Sequence, residues 1–238
     1  PSRMSAQRLP GKPLLEINNL PIISHVINRG KETELGEVIV CTENEEIAFA
    51  VEKNGGKAIL TGSHHKNGTE RIYEGLQKLK KENVSYVISL QGDEPAINPE
   101  DIKNLYSFMI QYNSDIGTLA SEIKEDFMLK NKNVVKVKTD EKLKNNNFVN
   151  AINFSRDDTL KESSNIYHHI GIYCYKSSIL KKFVNLKQTK NEIKNRLEQL
   201  RAIDNDIKIN VALAKSSPIG VDTKEDYLAL KKIMEYKS

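Results

Sequence analysis

The segment Val84-Ser85-Tyr86-Val87-Ile88-Ser89-Leu90-Gln91-Gly92-Asp93-Glu94-Pro95 decides how the rest of the chain is interpreted. Its first seven residues form a short apolar run with β-branched side chains, which predicts a buried strand. Two carboxylates follow directly after that strand. Ligands of open α/β sheets collect at the carboxyl ends of strands, so this segment predicts a site for a hard divalent cation. Gly-Asp-Glu-Pro is also ordinary turn chemistry, and that alternative explains most isolated examples.

Short β-branched runs and longer segments with helical spacing alternate on both sides of this segment, which is typical of βαβ units around a parallel sheet. The predicted strands are residues 37–41, 57–60, 84–90 and 115–120, and the predicted helices are residues 21–31, 45–53, 69–80 and 99–112. The pattern therefore predicts an α/β fold with a three-layer, Rossmann-like sheet.

From about residue 131 the pattern changes to consecutive strands separated by polar turns, which predicts antiparallel structure. The predicted elements are strands 134–139, 149–154 and 169–175, helices 177–185 and 192–203, strand 208–214 and helix 223–236. We expect one domain over residues 1–238, in which residues 1–130 and 204–238 form the α/β lobe. Residues 131–203 would form an inserted antiparallel β lobe for substrate binding or dimerisation. Because the sequence opens on a loop-like segment, we also expect a first strand before residue 1.

The composition indicates a folded globular chain. Of its 238 residues, 38% are hydrophobic and 29% are charged, which excludes wholly disordered and fibrous classes. No apolar stretch is long enough to cross a bilayer and no signal-peptide core follows Pro1, so we expect a cytoplasmic protein without a membrane partner. Cys41 and Cys174 lie far apart and predict buried free thiols.

The charge pattern favours a small anionic ligand over nucleic acid. Lys and Arg number 36 against 32 acidic residues, giving a net charge of +4, but the two signs are interspersed. Neither a dense basic stripe nor an aromatic stacking platform is present, so no nucleic-acid partner is expected.

Two further segments carry charges suited to a nucleotide. Arg3, Arg8 and Lys12 lie within ten residues in a loop that could wrap a polyphosphate, although a solvated basic tail is an equal alternative. Neither a P-loop nor a G-x-G-x-x-G motif exists in the chain. Asp222 precedes the last predicted helix, where either Asp222 or Thr223 could be the N-terminal cap. Together, two remote carboxylates and a basic loop favour a magnesium–nucleotide site.

The remaining polar segments are ambiguous when taken singly. Residues 67–71, Asn-Gly-Thr-Glu-Arg, fit a turn leading into a capped helix. The adjacent His168 and His169 lie in a predicted strand and point to opposite faces, so at most one faces a cleft. His64 and His65 are also adjacent, and a lone histidine is more often a hydrogen-bonded polar group than a metal ligand. Residues 197–201, Leu-Glu-Gln-Leu-Arg, lie on a predicted helix that buries its leucines and leaves Glu and Gln to reach a partner or solvent.

Seven motifs together resemble one known family. They are R-x-x-x-x-R-L-P-G-K-P-L, G-T-E-R, Q-G-D-E-P, F-S-R, H-x-G-I-Y, L-E-Q-L-R and G-V-D-T, in that order from Pro1 to the final helix. The sequence is thereby similar to the 3-deoxy-manno-octulosonate (Kdo) cytidylyltransferases, or CMP-Kdo synthetases. The resemblance implies a magnesium-dependent nucleotidyltransferase and a homodimer. Its reaction would transfer CMP from CTP to the anomeric hydroxyl of Kdo, giving CMP-Kdo and pyrophosphate for lipopolysaccharide synthesis.

The resemblance also implies residue roles. Arg3, Arg8 and Lys12 would hold the triphosphate, with Gln91 near the nucleotide. Asp93 and Asp222 match the metal-binding carboxylates, which with Lys12 make up the expected catalytic groups. The matches to the sugar contacts are Arg71, Arg156, His169, Tyr173, Glu198 and Gln199.

Four positions depart from the family pattern, mostly around the sugar half. Asn67 replaces a serine, Asn153 a tyrosine and Asn195 a glutamate, and His168 takes a place often held by a basic residue. The alternatives are therefore a cytidylyltransferase for another acidic sugar, such as 8-amino-Kdo or a nonulosonic acid, and a noncatalytic relative. The exposed strand edges of the antiparallel lobe give a physical reason to expect the homodimer.

Overall fold

The computed structural model describes residues 1–5, 8–157, 164–217 and 220–236. The chain divides into two compact units. Unit 1 comprises Pro1–Asn83, Ser89–Glu100 and Pro218–Ser238, and unit 2 comprises Val84–Ile88 and Asp101–Ser217. Within the described ranges, every helix is too short or too polar to span a membrane.

Unit 1 packs helices against a small parallel sheet. Strand β3 pairs in parallel with β4, and Ser2 forms a parallel bridge with Thr42 of β3. One apolar cluster joins Ile23 and Ile27 of α1 to Val40 of β3 and to α2. The elements of unit 1 are a 3-10 helix Lys12–Leu14, β1 Glu16–Ile17, β2 Leu20–Pro21, α1 Ile22–Lys31, β3 Val40–Thr42, α2 Glu45–Lys53, β4 Ala58–Leu60, α3 Gly68–Leu79 and α9 Lys224–Glu235.

Unit 2 is built on a six-stranded mixed sheet in the order β5-β9-β6-β10-β8-β7. Strands β6 and β10 are parallel, whereas β6–β9, β8–β10 and β7–β8 are antiparallel. A further antiparallel pairing of β7 with β9 closes a circuit of five strands. The elements are β5 Tyr86–Ser89, α4 Pro99–Gln111, β6 Ile116–Ser121, α5 Asp126–Lys130, β7 Lys136–Thr139, β8 Val149–Ser155, β9 Ile166–Lys176, α6 Ser177–Val184, α7 Lys190–Asn195, α8 Leu200–Ile203 and β10 Ile209–Leu213.

The predicted α/β class is confirmed, and helix α2 has the predicted bounds. Both cysteines are free and buried, as predicted. Strands from both sides of the predicted lobe boundaries share the sheet of unit 2, and the division of the chain at residues 130 and 203 stays a prediction.

The predicted helix 192–203 is wrong, because the segment forms two short helices, α7 and α8. Arg196 ends α7 in the left-handed conformation, with φ 52°. The break brings Glu192 and Arg201 into a buried, forked ion pair, with Arg201 Nε 2.8 Å from Glu192 Oε2. Nine residues of continuous helix would separate these two side chains by about 13 Å along the axis.

Candidate functional site

Three distant parts of the chain meet at the Lys12 ammonium in unit 1. Lys12 Nζ donates a hydrogen bond to a carboxylate oxygen of Asp93. It also donates to Asp222 Oδ1 at 3.3 Å and to the carbonyl oxygen of Val221 at 2.9 Å. The two carboxylates singled out in the sequence therefore converge on one cation. We refer to Lys12, Asp93 and Asp222 as the carboxylate cluster.

Local backbone geometry fixes the carboxylate cluster. Gly11 has φ +72°, a left-handed conformation that glycine adopts without strain, and it begins the 3-10 helix that carries Lys12. The two acidic loops are joined directly, because Val221 N donates to the carbonyl oxygen of Asp93 at 2.9 Å. Both aspartates are thus positioned by backbone contacts.

Thr223, and not Asp222, caps helix α9. Thr223 Oγ1 accepts from Asp226 N at 3.1 Å, and Thr223 N donates to Asp226 Oδ2 at 2.8 Å. This capping box satisfies the first turn of the helix. The Asp222 carboxylate is therefore left to interact with Lys12 and Arg8.

The basic N-terminal segment contributes a second cation. Arg8 Nη2 lies 3.0 Å from Asp222 Oδ2, and both side chains are about half exposed. Arg3 is exposed in the same segment, and Gln91 is half-buried directly beyond β5 and Leu90. Ala6 and Gln7, which the predicted basic loop includes, lie outside the described residues.

Glu94, the second of the two carboxylates beyond β5, is half-buried beside the carboxylate cluster. Among the described residues, its Oε2 atom is buried without a hydrogen-bond partner. Burial, followed by the charges of Asp93 and Asp222, raises the pKa of Glu94 to about 8, although Lys12 opposes the shift. Burial and the two neighbouring carboxylates thus disfavour the charged form of Glu94, and a cation bound nearby would favour it.

Arg71 is buried in unit 1 and bound to protein partners. Its Nη2 donates to Glu43 Oε2 at 2.6 Å, and its Nη1 donates to Thr61 Oγ1 at 2.7 Å and to the carbonyl oxygen of Gly62 at 3.2 Å. The guanidinium therefore positions the segment after β4 against Glu43. The sugar contact expected of Arg71 stays a prediction.

His169 lies buried on β9 in unit 2, with a defined hydrogen-bond direction. Its Nε2 lies 3.0 Å from Thr118 Oγ1, while that hydroxyl donates to the carbonyl oxygen of Ile172 at 2.7 Å. A hydroxyl has one proton, so Thr118 accepts from His169 Nε2–H and leaves Nδ1 as the acceptor nitrogen. Burial, with smaller contributions from His168 and Arg156, lowers the pKa of His169 to about 3. His169 is therefore neutral at physiological pH.

The other expected sugar contacts also lie in unit 2. The Tyr173 and His169 rings are 5.5 Å apart, and burial raises the pKa of Tyr173 well above its usual value. Arg156 is half-buried, and its Nη1 donates to the carbonyl oxygen of Lys132 at 3.3 Å. Glu198 is half-buried and Gln199 is buried, so Gln199 does not reach solvent, and its expected contact with a partner stays a prediction.

Comparison with known proteins identifies the family. A family model described as cytidylyltransferase matches residues 1–209. The chain is 41% identical to the 3-deoxy-manno-octulosonate cytidylyltransferase of Afipia carboxidovorans, over 98% of this chain and 94% of that protein. It is 43% identical to the enzyme of that name from Thermodesulfovibrio yellowstonii, over 95% and 92% of the two chains.

The chain belongs to the 3-deoxy-manno-octulosonate cytidylyltransferase family. Its fold matches a solved structure of CMP:2-keto-3-deoxy-manno-octonic acid synthetase complexed with CTP, with a TM-score of 0.88 and 31% identity. That match covers 100% of this chain and 97% of the other. A UDP-glucose pyrophosphorylase structure shares the fold at a TM-score of 0.71 and 16% identity, over 98% and 92% of the two chains. The predicted nucleotidyltransferase fold is therefore confirmed.

One departure of this cytidylyltransferase from the family pattern has a structural account. The side-chain oxygen of Asn67 accepts from Glu70 N at 2.9 Å and caps helix α3. Asn and Ser are similarly good N-terminal caps, so asparagine keeps the function of the serine expected there. Nothing in the structure explains the departures at Asn153 and Asn195, and His168 contacts Ser217 Oγ at 3.1 Å.

Two partners of the expected site residues were not predicted from the sequence. They are Glu43 bound to Arg71, and Thr118 bound to His169. Glu94 was one of the two carboxylates predicted beyond β5, but its raised pKa was not predicted. Glu43 and Thr118 carry no local sequence signal, since each meets its partner only through the tertiary fold.

Proposed function

We propose that this chain transfers CMP from CTP to the anomeric hydroxyl of Kdo and releases pyrophosphate, giving CMP-Kdo for lipopolysaccharide synthesis. The observation that carries the proposal is the convergence of Asp93 and Asp222 on Lys12. It is supported by the names of the relatives, and by the similar solved structure that contains CTP.

We further propose that Asp93 and Asp222 hold Mg²⁺. The donor set fits, because carboxylate oxygens are preferred magnesium ligands and one or two of them commonly suffice beside substrate phosphates. The two carboxylates already share one cation, the Lys12 ammonium. The Glu94 carboxyl lies beside them with its pKa raised to about 8, and a bound cation would favour its ionised form. When bound there, Mg²⁺ would supply positive charge that offsets the charge of the triphosphate oxygens.

The residues of unit 1 would bind and orient the triphosphate. Lys12 and Arg8 are the cations beside the aspartates, and they would turn from the carboxylates to the phosphate oxygens when the nucleotide binds. Arg3 and Gln91 complete the expected nucleotide contacts. Reaction between two anions is slow unless their charges are neutralised, so these side chains would act by charge and position.

The residues of unit 2 would bind the acidic sugar. Arg156 offers a guanidinium for the sugar carboxylate, and the neutral His169 offers its Nδ1 atom as a hydrogen-bond acceptor. Tyr173, Glu198 and Gln199 would provide further polar contacts, and Arg71 in unit 1 is the sixth expected contact. The anomeric hydroxyl would attack the α-phosphorus while pyrophosphate leaves in line. No side chain needs to form a covalent bond to the substrate.

The test is a pyrophosphate-release assay that crosses four nucleoside triphosphates with Kdo, 8-amino-Kdo and a nonulosonic acid, with and without Mg²⁺. We expect release with CTP, Kdo and Mg²⁺ together. Asp93→Asn should lower kcat at least about 10²-fold, or about 2.7 kcal/mol of activation free energy. Asp126→Asn, on the exposed surface of α5, is the matched control and should keep the wild-type rate.

Two outcomes would contradict the proposal. Release with another acidic sugar but not with Kdo would assign the chain to the alternative substrate class. No release with any combination would assign it as a noncatalytic relative. Near-normal turnover of Asp93→Asn would remove that residue from the metal role.

The homodimer and the cytoplasmic location belong to the same proposal. Strand β7 pairs with β8 and also with β9, so its edges are already covered and give little physical reason for a dimer. The dimer therefore rests on the family resemblance, and light scattering at micromolar concentration tests it. A cytoplasmic location fits an enzyme that uses CTP.

A further inference from the structure

His64, His65 and Glu74 form a cluster outside the expected catalytic groups. One potential ligand atom from each residue lies within 4.8 Å of the others. The two imidazole rings have centroids 4.4 Å apart. All three residues belong to unit 1, with the histidines in the segment after β4 and Glu74 in the middle of helix α3.

Hydrogen bonds hold the Glu74 carboxylate in place, and its contact with His65 is the one that a bound metal would replace. Glu74 accepts hydrogen bonds from Gly62 N, at 3.0 Å for Oε2 and 3.2 Å for Oε1, and Lys78 Nζ lies 2.7 Å from Oε1. These donors orient an ionised carboxylate. Glu74 Oε2 also accepts from His65 Nε2, so a histidine nitrogen and a carboxylate oxygen already point at each other.

Gly62 has no side chain and so leaves room for the His64 ring beside the pair formed by His65 and Glu74. A Cβ atom on residue 62 would lie 2.4 Å from Cε1 and 2.5 Å from Nδ1 of His64, which is far inside van der Waals contact. The His64 ring therefore covers the bare backbone of Gly62, whose N–H contacts Glu74. The ring is also exposed, so it can rotate toward a ligand.

The donor chemistry selects a borderline transition metal. Two imidazole nitrogens and one carboxylate oxygen suit Zn²⁺, whereas Mg²⁺ prefers oxygen ligands throughout. Zinc binds such atoms at about 2.0 to 2.2 Å in a tetrahedral arrangement, so the ligand atoms must approach to about 3.4 Å of one another. The exposed His64 side chain can supply that movement. Three protein ligands leave a fourth position for water.

We propose that His64, His65 and Glu74 form a Zn²⁺ site, separate in ligands and in metal preference from the carboxylate cluster. Occupation would tie the segment carrying His64 and His65 to helix α3. His65 Nε2 must carry a proton while it donates to Glu74; when the metal binds Nε2 this proton passes to solvent and the neutral ring takes one up on Nδ1, so the ring changes tautomer with no net release. The other ring nitrogen, Nδ1, lies 4.0 Å from Glu70 Oε2, a carboxylate that favours a proton on Nδ1.

The experiment measures Zn²⁺ binding by the untagged, metal-stripped full chain, in competition with a zinc-binding dye and in excess Mg²⁺ without CTP. We expect one Zn²⁺ per chain. His64→Gln and Glu74→Gln should each weaken binding at least about tenfold, the smallest loss seen when even an outer partner of a metal ligand is removed. His25→Gln, a matched change on α1 outside the cluster, should bind Zn²⁺ as the wild type does.

Wild-type affinity in both cluster variants, or no Zn²⁺ binding by the wild type, would overturn the proposal. His64→Gln keeps the test decisive if Glu74→Gln fails to fold, because His64 is exposed. Substitution by Co²⁺ gives a second readout, since a thiolate charge-transfer band would show binding by a cysteine and overturn the assignment. None of these measurements depends on turnover, so they are separate from the test of the proposed function.

Discussion

Lys12 is the residue on which the carboxylate cluster depends. Its side chain is 13% exposed, against 31% for Asp93 and 51% for Asp222, so the ammonium is the most buried charge of the three. An ammonium in this position prevents the repulsion of two neighbouring carboxylates when no other cation is present. We propose that the Lys12 ammonium also binds the triphosphate. Binding of the nucleotide and binding of the metal would therefore be linked.

We predict that Lys12→Met makes the stability of the protein depend on Mg²⁺. Without metal, Asp93 would lose its Lys12 partner and Asp222 would keep only its half-exposed pair with Arg8, so the midpoint of thermal unfolding should fall below that of the wild type. Saturating Mg²⁺ should raise this midpoint more in the variant than in the wild type, because the metal replaces the missing charge. Differential scanning calorimetry with and without Mg²⁺ measures this difference.

Lys53→Met, on the exposed surface of α2, is the matched control and should show the wild-type response to Mg²⁺. An equal response of Lys12→Met and wild type would show that the two carboxylates do not share a cation site.

His169 makes the stability of the protein depend on pH. The folded chain holds the pKa of His169 at about 3, whereas an unfolded histidine titrates near about 6.5. At pH values between these two pKa values, His169 is protonated in the unfolded state but neutral in the folded state. The free energy of unfolding therefore falls as the pH falls through this range. The stabilising effect of the neutral ring is fully present above about pH 6.5.

The predicted loss from His169 between pH 7 and pH 5 is about 2 kcal/mol of unfolding free energy. His169→Gln removes the titration while keeping an amide to contact Thr118, so its stability should fall about 2 kcal/mol less over the same range. Urea unfolding at the two pH values measures the difference. An equal loss of unfolding free energy in the wild type and in His169→Gln would show that the folded protein does not keep His169 neutral.

The pair formed by Glu192 and Arg201 holds the break between α7 and α8. Both side chains are buried, at 5% and 1% exposed, and Glu192 also completes the capping box of α7 with Thr189. A buried arginine that loses its carboxylate partner keeps its desolvation cost without the compensating charge. This pair therefore fixes the segment that presents Glu198 and Gln199.

We predict that Glu192→Gln lowers the free energy of unfolding by about 3 to 5 kcal/mol, the cost of breaking a buried ion pair from one side. Glu32→Gln breaks an exposed pair with Arg29 and should change stability by less than about 1 kcal/mol. Denaturant unfolding of both variants provides the comparison. Similar small losses in the two variants would show that the buried pair does not hold the break.

The elements predicted correctly from the sequence are those whose apolar spacing is local. Helix α2 has its predicted bounds because Asn44 and two glutamates mark its start, and Ile47, Ala48 and Val51 form one buried face. The hairpin of β1 and β2 was missed, although Asn18 and Asn19 between them both adopt positive φ, a turn that asparagine tolerates. The break at Arg196 could not be predicted, because it depends on a pair nine residues apart.

The candidate site was predictable where a motif and a strand end coincide. Asp93 follows β5, and Asp222 precedes α9, so their meeting at Lys12 follows from the fold once the family motifs are placed in order. The environment of each group was not predictable. Burial decides the pKa values of Glu94 and His169, and burial depends on side chains far away in the sequence.

The whole chain is organised so that its first and last described segments belong to one unit. Residues near position 12, near position 93 and near position 222 all lie in unit 1, and β10 of unit 2 comes between the last two in the sequence. The carboxylate cluster therefore forms only when three separate segments of the chain fold together as unit 1. A ligand that binds this cluster must stabilise the folded unit 1 against its unfolded state.

We predict that CTP with Mg²⁺ raises the unfolding free energy of unit 1 by about 2.7 kcal/mol when the free ligand is at about 100 times its Kd. The rise should require both components, because the metal and the triphosphate share the charges around Lys12. Asp222→Asn should lose most of it, whereas Asp126→Asn should keep it. Thermal unfolding with CTP alone, Mg²⁺ alone and both together separates the contributions. A rise of equal size with CTP alone would show that the nucleotide binds without the metal, and an undiminished rise in Asp222→Asn would place the binding site away from the carboxylate cluster.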